Sequence, residues 1–130
     1  MNLQTINDVA SELFDSLKQQ KIIQPLTDRY PEIDINDAYQ ISRQFLSLRE
    51  AVGEKVVGKK IGVTSSVVQE MLGVNQPDFG FLTDAMRVQN RSTFSIEDSL
   101  IQPRAEAEIA FILKEDLFGP GVSKEDVIAA

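Results

Sequence analysis

The chain has 130 residues, 42% of them hydrophobic and 25% charged, the composition of one globular domain. Compact folding would leave about 6,900 Å² of roughly 21,000 Å² exposed. With neither cysteine nor histidine, it can carry no disulfide, no thiolate or imidazole metal ligand, no cysteine nucleophile and no Ser-His-Asp triad. Thirteen basic residues against twenty acidic ones give a net charge of −7, which disfavours nucleic acid as a partner, and no apolar run approaches the roughly 18 residues of a membrane span.

The opening residues Met1 to Asp8 lack the basic and apolar regions of a secretory signal, so a cytoplasmic chain is expected. Val9, Ala10, Leu13, Phe14 and Leu17 fall at steps of three and four. That spacing predicts a helix from about Asn7 to Gln20, with Thr5 and Asp8 as its capping pair. Pro25 and Pro31 bracket a connection. Ala38, Ile41, Phe45, Leu48 and Val52 predict a second helix from about Ile35 to Val52, capped by Asp34 or Asn36 and stopped at Gly53. The texture then changes. Val56 to Val63 is β-branched and interrupted by glycines, a strand pattern. Thr64 or Ser65 opens a short helix through Leu72, closed by Gly73. Residues Asn75 to Gly80 read as a turn-rich loop, and Ala105 to Leu113 as the clearest strand. Ser123 to Asp126 resembles a capping box only a few residues before Ala130, the pattern expected of a truncated chain. Helices first and strands later predict an α+β fold, divided into a helical region at 1–55 and the first part of a β-rich domain at 56–130.

Chemistry has to run on carboxylates, Lys, Arg and hydroxyls. Residues 1–65 hold 8 basic and 9 acidic side chains, whereas residues 66–130 hold 5 and 11. The acidic excess therefore lies in the second half, where it suits a cation site or a plain solvated surface. Gly53 to Lys59 matches half of a phosphate-binding loop, but Lys60 stands where Ser or Thr would be needed and the helix-to-strand order is reversed. In a strand, Glu106 and Glu108 project from one face about 6–7 Å apart. They could converge on a hard cation such as magnesium, or simply form the wet edge of a sheet. Lys60, between Gly58 and Gly62, could approach an anion or move a proton if burial lowered its pKa. Asp78, read as part of a turn, could orient water.

Taken together, Gly58-Lys59-Lys60-Ile61-Gly62-Val63-Thr64-Ser65, Met71-Leu72-Gly73-Val74, Gln76 to Asp84 and Gln102 to Phe111 resemble the 2-oxopent-4-enoate (2-hydroxypenta-2,4-dienoate) hydratases of the fumarylacetoacetate hydrolase superfamily. The resemblance covers the chain but only the N-terminal half of the family's usual length. It implies a fumarylacetoacetase-like catalytic domain and a divalent Mg²⁺ or Mn²⁺ cofactor. Glu106 and Glu108 would be two of three carboxylate ligands, and Lys60 and Asp78 would be catalytic, with Leu72 and Phe79 also at the substrate. The implied partners are a 2-oxo or 2-hydroxy dienoate substrate, further copies of the chain in a homo-oligomer, and the next enzyme of aromatic meta-cleavage or the decarboxylase. Neither nucleic acid nor membrane is expected. The related 4-oxalocrotonate decarboxylases are an alternative, as is a non-catalytic fragment contributing assembly surface.

Overall fold

A computed structural model describes residues 1–97 and 99–130. Two long amphipathic helices, α1 (Leu3–Gln19) and α3 (Ile35–Ala51), pack through the buried side chains of Ile6, Val9, Ala10 and Ile41. Leu13, Phe45 and Leu48 extend this core, as do Leu26, Tyr30 and Ile33 from the connection. That connection contains a single helical turn, α2 (Leu26–Arg29), which the two prolines did not announce. Arg29 pins it to α1 by donating to both carboxylate oxygens of Glu12 at 2.8 and 2.7 Å.

The helix ends follow from their caps. α1 begins four residues earlier than its apolar spacing predicts, because Asn2 rather than Thr5 is the cap. The Asn2 side chain accepts from the Thr5 backbone N–H at 2.8 Å, satisfying a first-turn donor. α3 starts as expected at a capping box of Asp34 and Asp37. The Asp37 carboxylate also accepts from the Met1 ammonium at 2.7 Å, so one buried side chain joins the starts of both long helices.

After Gly53, whose φ of +100° lets the chain turn away from α3, β1 (Val56–Gly62) pairs antiparallel with β2 (Asp78–Thr83). The register sets Lys60 opposite Gly80, Ile61 opposite Phe79 and Gly62 opposite Asp78, with one irregularity between Val56 and Gly58. Between the strands lies α4 (Ser66–Leu72), with its predicted Ser65 cap and a left-handed Gly73 stop. Lys55 and Asp84 close the foot of the hairpin, where the Lys55 N–H donates to the Asp84 carboxylate and the Asp84 N–H to the Lys55 carbonyl, both at 2.9 Å. A 3-10 turn (Asp84–Met86) follows, and α5 (Lys124–Ala129) starts at the predicted Ser123–Asp126 box.

The hairpin is bound to α3 at two points. Arg49, 6% exposed, donates from Nε to Glu54 Oε2 at 2.7 Å and from its second guanidinium nitrogen to Thr83 Oγ1 at 3.1 Å. Thr83, 1% exposed, in turn donates to Glu54 at 2.5 Å. At the other end of β2, the Tyr39 and Phe79 rings lie 6.3 Å apart. Ten helical residues and four strand residues both span roughly 13–15 Å, so α3 runs alongside β2 on the face that carries Phe79 and Thr83.

Two expectations are corrected. Asp78, Phe79 and Gly80 belong to β2 rather than to a turn, because each has a cross-strand partner in β1. Residues Ala105 to Leu113 form no strand. Among the described residues the sheet has only β1 and β2, and neither edge pairs with this stretch. Without a ladder its apolar side chains stay in solvent, with Ile109, Phe111 and Ile112 at 82, 84 and 98% exposure. The accessible surface is accordingly 10,785 Å², well above the ~6,900 Å² of a compact chain this size. The fold is mixed α and β, and among the described residues no helix is long and apolar enough to cross a membrane.

Replacing Arg49 by Met strands the Glu54 carboxylate in a largely buried position, and we expect a loss of about 3 kcal/mol, the low end for breaking a buried pair, measured by urea unfolding. Hydrogen bonding from the Met1 ammonium, with help from the Asp34 backbone N–H, holds Asp37 below the ordinary carboxylate range. A lowered folded pKa gives stability that is complete above the unfolded value and lost as pH falls through the folded one. The wild type should therefore lose more stability than Asp37→Asn as pH falls below about 4, which thermal melts across that range will show.

Candidate active site

The hairpin has two unlike faces. Residues directly opposite in an antiparallel pair share a face, so Lys59, Ile61, Phe79 and Phe81 lie with Thr83 on the side of α3. Lys60 and Asp78 lie on the other side, where their partners across the ladder are Gly80 and Gly62. Lys60 and Asp78 are diagonal neighbours, a relation that sets backbone positions roughly 7–8 Å apart. Glycine at 62 and 80 leaves the floor directly opposite them free of side chains, while Leu82 covers Gly58 at one end. At Gly62 a β-carbon would overlap Asp78 Oδ1, so a side chain there would turn the Asp78 carboxylate aside.

Glu106 and Glu108 come to this face from outside the sheet. Lys60 Nζ donates to Glu106 Oε2 at 3.1 Å and to Glu108 Oε1. The sequence-based pairing of the two carboxylates is thus realised without the strand that suggested it, and the cation on which they converge is the lysine ammonium. Hydrogen bonds to Glu108 and then Glu106 hold Lys60 above its ordinary range. Partly exposed and doubly paired, it is a fixed positive charge here, not a lysine whose proton is loosened by burial.

The remaining candidates are placed apart from this cluster. Phe79 belongs to the opposite face, with its ring against Tyr39, and Leu72 ends α4 as an exposed side chain. Sequence reasoning did not single out Val63, which leaves β1 with a φ of +54°. A β-branched residue rarely adopts that conformation. The Gln69 side chain donates to its carbonyl at 2.9 Å, which ties the strained turn to α4, and no sequence pattern announces such a turn at a valine.

The donor set suits a hard cation. Two carboxylates already share a positive centre, and magnesium sites commonly use one or two carboxylates with water and substrate. Among the described residues no third acidic ligand joins them.

No protein-family profile matches the chain. It is 55% identical over all 130 residues to a 2-hydroxypent-2,4-dienoate hydratase of Pseudomonas putida, covering 59% of that protein. It is 56% identical over 128 residues to a 2-hydroxyhexa-2,4-dienoate hydratase of Comamonas testosteroni, covering 48% of it. Among solved structures, 4-oxalocrotonate decarboxylase from Pseudomonas putida G7, complexed with magnesium and adipate, superposes with a TM-score of 0.63. The match has 29% identity and covers 65% of this chain and 32% of that one. Over its length the chain is thus similar in sequence to 2-hydroxypenta-2,4-dienoate hydratases, and it spans about half the length of the curated relatives it matches.

Proposed function

We propose that the whole protein is a cytoplasmic hydro-lyase that adds water to 2-hydroxypenta-2,4-dienoate (2-oxopent-4-enoate) to give 4-hydroxy-2-oxopentanoate in aromatic meta-cleavage. The observation that carries this is identity above one half, over essentially the whole chain, to hydratases of that substrate class. The 29% identity to a decarboxylase of similar fold makes decarboxylation the weaker reading. Residues 1–55 are then a helical region and residues 56–130 the first part of a fumarylacetoacetase-like domain. The alternating pattern and exposed apolar side chains of 105–113 support a β-rich continuation. Further copies of the chain, and the next pathway enzyme or the decarboxylase, are the proposed protein partners.

Glu106 and Glu108 would hold a divalent Mg²⁺ or Mn²⁺, which when bound supplies a chelating centre that polarises the 2-oxo acid. The glycine floor admits a flat dienoate close to the backbone. Lys60 offers its ammonium to the carboxylate or to the enolate-like charge at the C2 oxygen. Ketonisation moves the enol proton away and places a proton on C5; water then adds its oxygen at C4 and a proton at C3. Asp78, on the same face and kept in place by the absence of a side chain at Gly62, orients the attacking water and takes its proton. Leu72 would border the chain end of the substrate from α4, whereas Phe79, on the α3 face with its ring against Tyr39, stands behind the strand and supports it.

In the full-length enzyme, Glu106→Gln is expected to reduce metal-dependent loss of dienol absorbance by at least about a hundredfold, and unchanged turnover removes Glu106 from the ligand set. Gly62→Ala should leave stability within about 0.5 kcal/mol, because a short side chain can rotate aside. It should nevertheless lower kcat by roughly ten- to a hundredfold through the displaced Asp78 carboxylate. Paired melting curves and steady-state assays test both halves of that expectation.

A further inference from the structure

Lys60 places a positive charge where the two proposed ligand carboxylates converge. Its ammonium donates to Glu106 at 3.1 Å and to Glu108, whose side chains are otherwise 63% and 57% exposed. The stretch from Gln102 to Asp116 is exposed and has no backbone ladder, so this double ion pair ties its acidic end to the hairpin. A divalent ion drawn to the same pair of carboxylates competes with that ammonium for them. Magnesium draws carboxylate oxygens to about 2.0–2.1 Å in a near-octahedral shell. An Nζ that kept both hydrogen bonds would crowd the shell and face a like charge at close range.

We infer that Lys60 is a displaceable stand-in cation. It holds Glu106 and Glu108 together while the metal is absent, and metal binding expels it from them. The released ammonium remains on the face it shares with Asp78, now unpaired and beside the ion, where it can meet an anionic carboxylate. Cation before anion is the resulting order of binding. The inference rests on the metal reading above and extends it, since it gives Lys60 a role before any substrate arrives.

Manganese titration followed by electron paramagnetic resonance tests this on the full-length enzyme. Lys60→Met should bind Mn²⁺ about tenfold more tightly than wild type, the scale expected for removing a competing, partly exposed double ion pair. Lys60→Arg, which keeps the charge, should stay within about twofold of wild type. In the wild type, Mg²⁺ should shift the Lys60 side-chain carbon resonance, identified by its absence in Lys60→Met. Equal or weaker Mn²⁺ binding by Lys60→Met overturns displacement. If Glu106→Gln still loses Mn²⁺ in that case, the metal site stands and only the role of Lys60 falls. If Glu106→Gln binds like wild type, or no chain binds Mn²⁺, the metal reading falls and the displacement with it.

Discussion

Arg49 is the joint between the helices and the hairpin of this molecule. Its guanidinium reaches Glu54 at the exit of α3 and Thr83 at the end of β2, while Thr83 itself donates to Glu54. Three polar side chains thereby satisfy one another out of water, the condition under which buried charge can be tolerated. They also decide orientation. Once Thr83 is held against α3 at one end and Phe79 against Tyr39 at the other, β2 can lie on the helix by only one of its faces. The opposite face, with Lys60 and Asp78, is left open. The accessibility of the candidate active site is thus a consequence of polar chemistry on its far side.

Local signals carried much of this architecture. α3, β1, α4 and α5 stand close to where apolar spacing, β-branched runs and capping residues put them, because each of those signals acts within a few residues. Failures arose where a distant partner decides. Asn2 outcompetes Thr5 as a cap, and nothing in the apolar stripe of α1 distinguishes them. Asp78 to Gly80 has the composition of a turn and becomes a strand because β1 lies beside it. Residues 105–113 have a strand's alternation and no strand to pair with, and alternation alone cannot supply a ladder. The Arg49 network left no trace in the sequence, since an arginine late in a helix reads simply as a residue complementing the helix dipole.

The site shows the same division. The spacing of Glu106 and Glu108 revealed that two carboxylates could act together, and they do act on one cation. That the cation is Lys60, 46 and 48 residues away in sequence, is a fact of topology. Likewise, the glycines around Lys60 suggested room for a ligand, but only the ladder shows that Gly62 makes room for Asp78. Lysine and aspartate become neighbours through the antiparallel return of the chain after α4, a relation no motif spacing encodes.

The irregularity near the start of β1 has a consequence for handedness of function. Val56 pairs with Thr83, yet Gly58 pairs with Leu82, so Val57 is one residue too many for regular alternation. In an unbroken ladder counted from Val56, Lys60 would stand opposite Phe79 and its ammonium would point into α3. The extra residue exchanges the two faces for everything downstream of it. Val57 therefore acts as a parity switch: a single residue of chain length decides whether the basic centre of this strand meets a helix or a ligand.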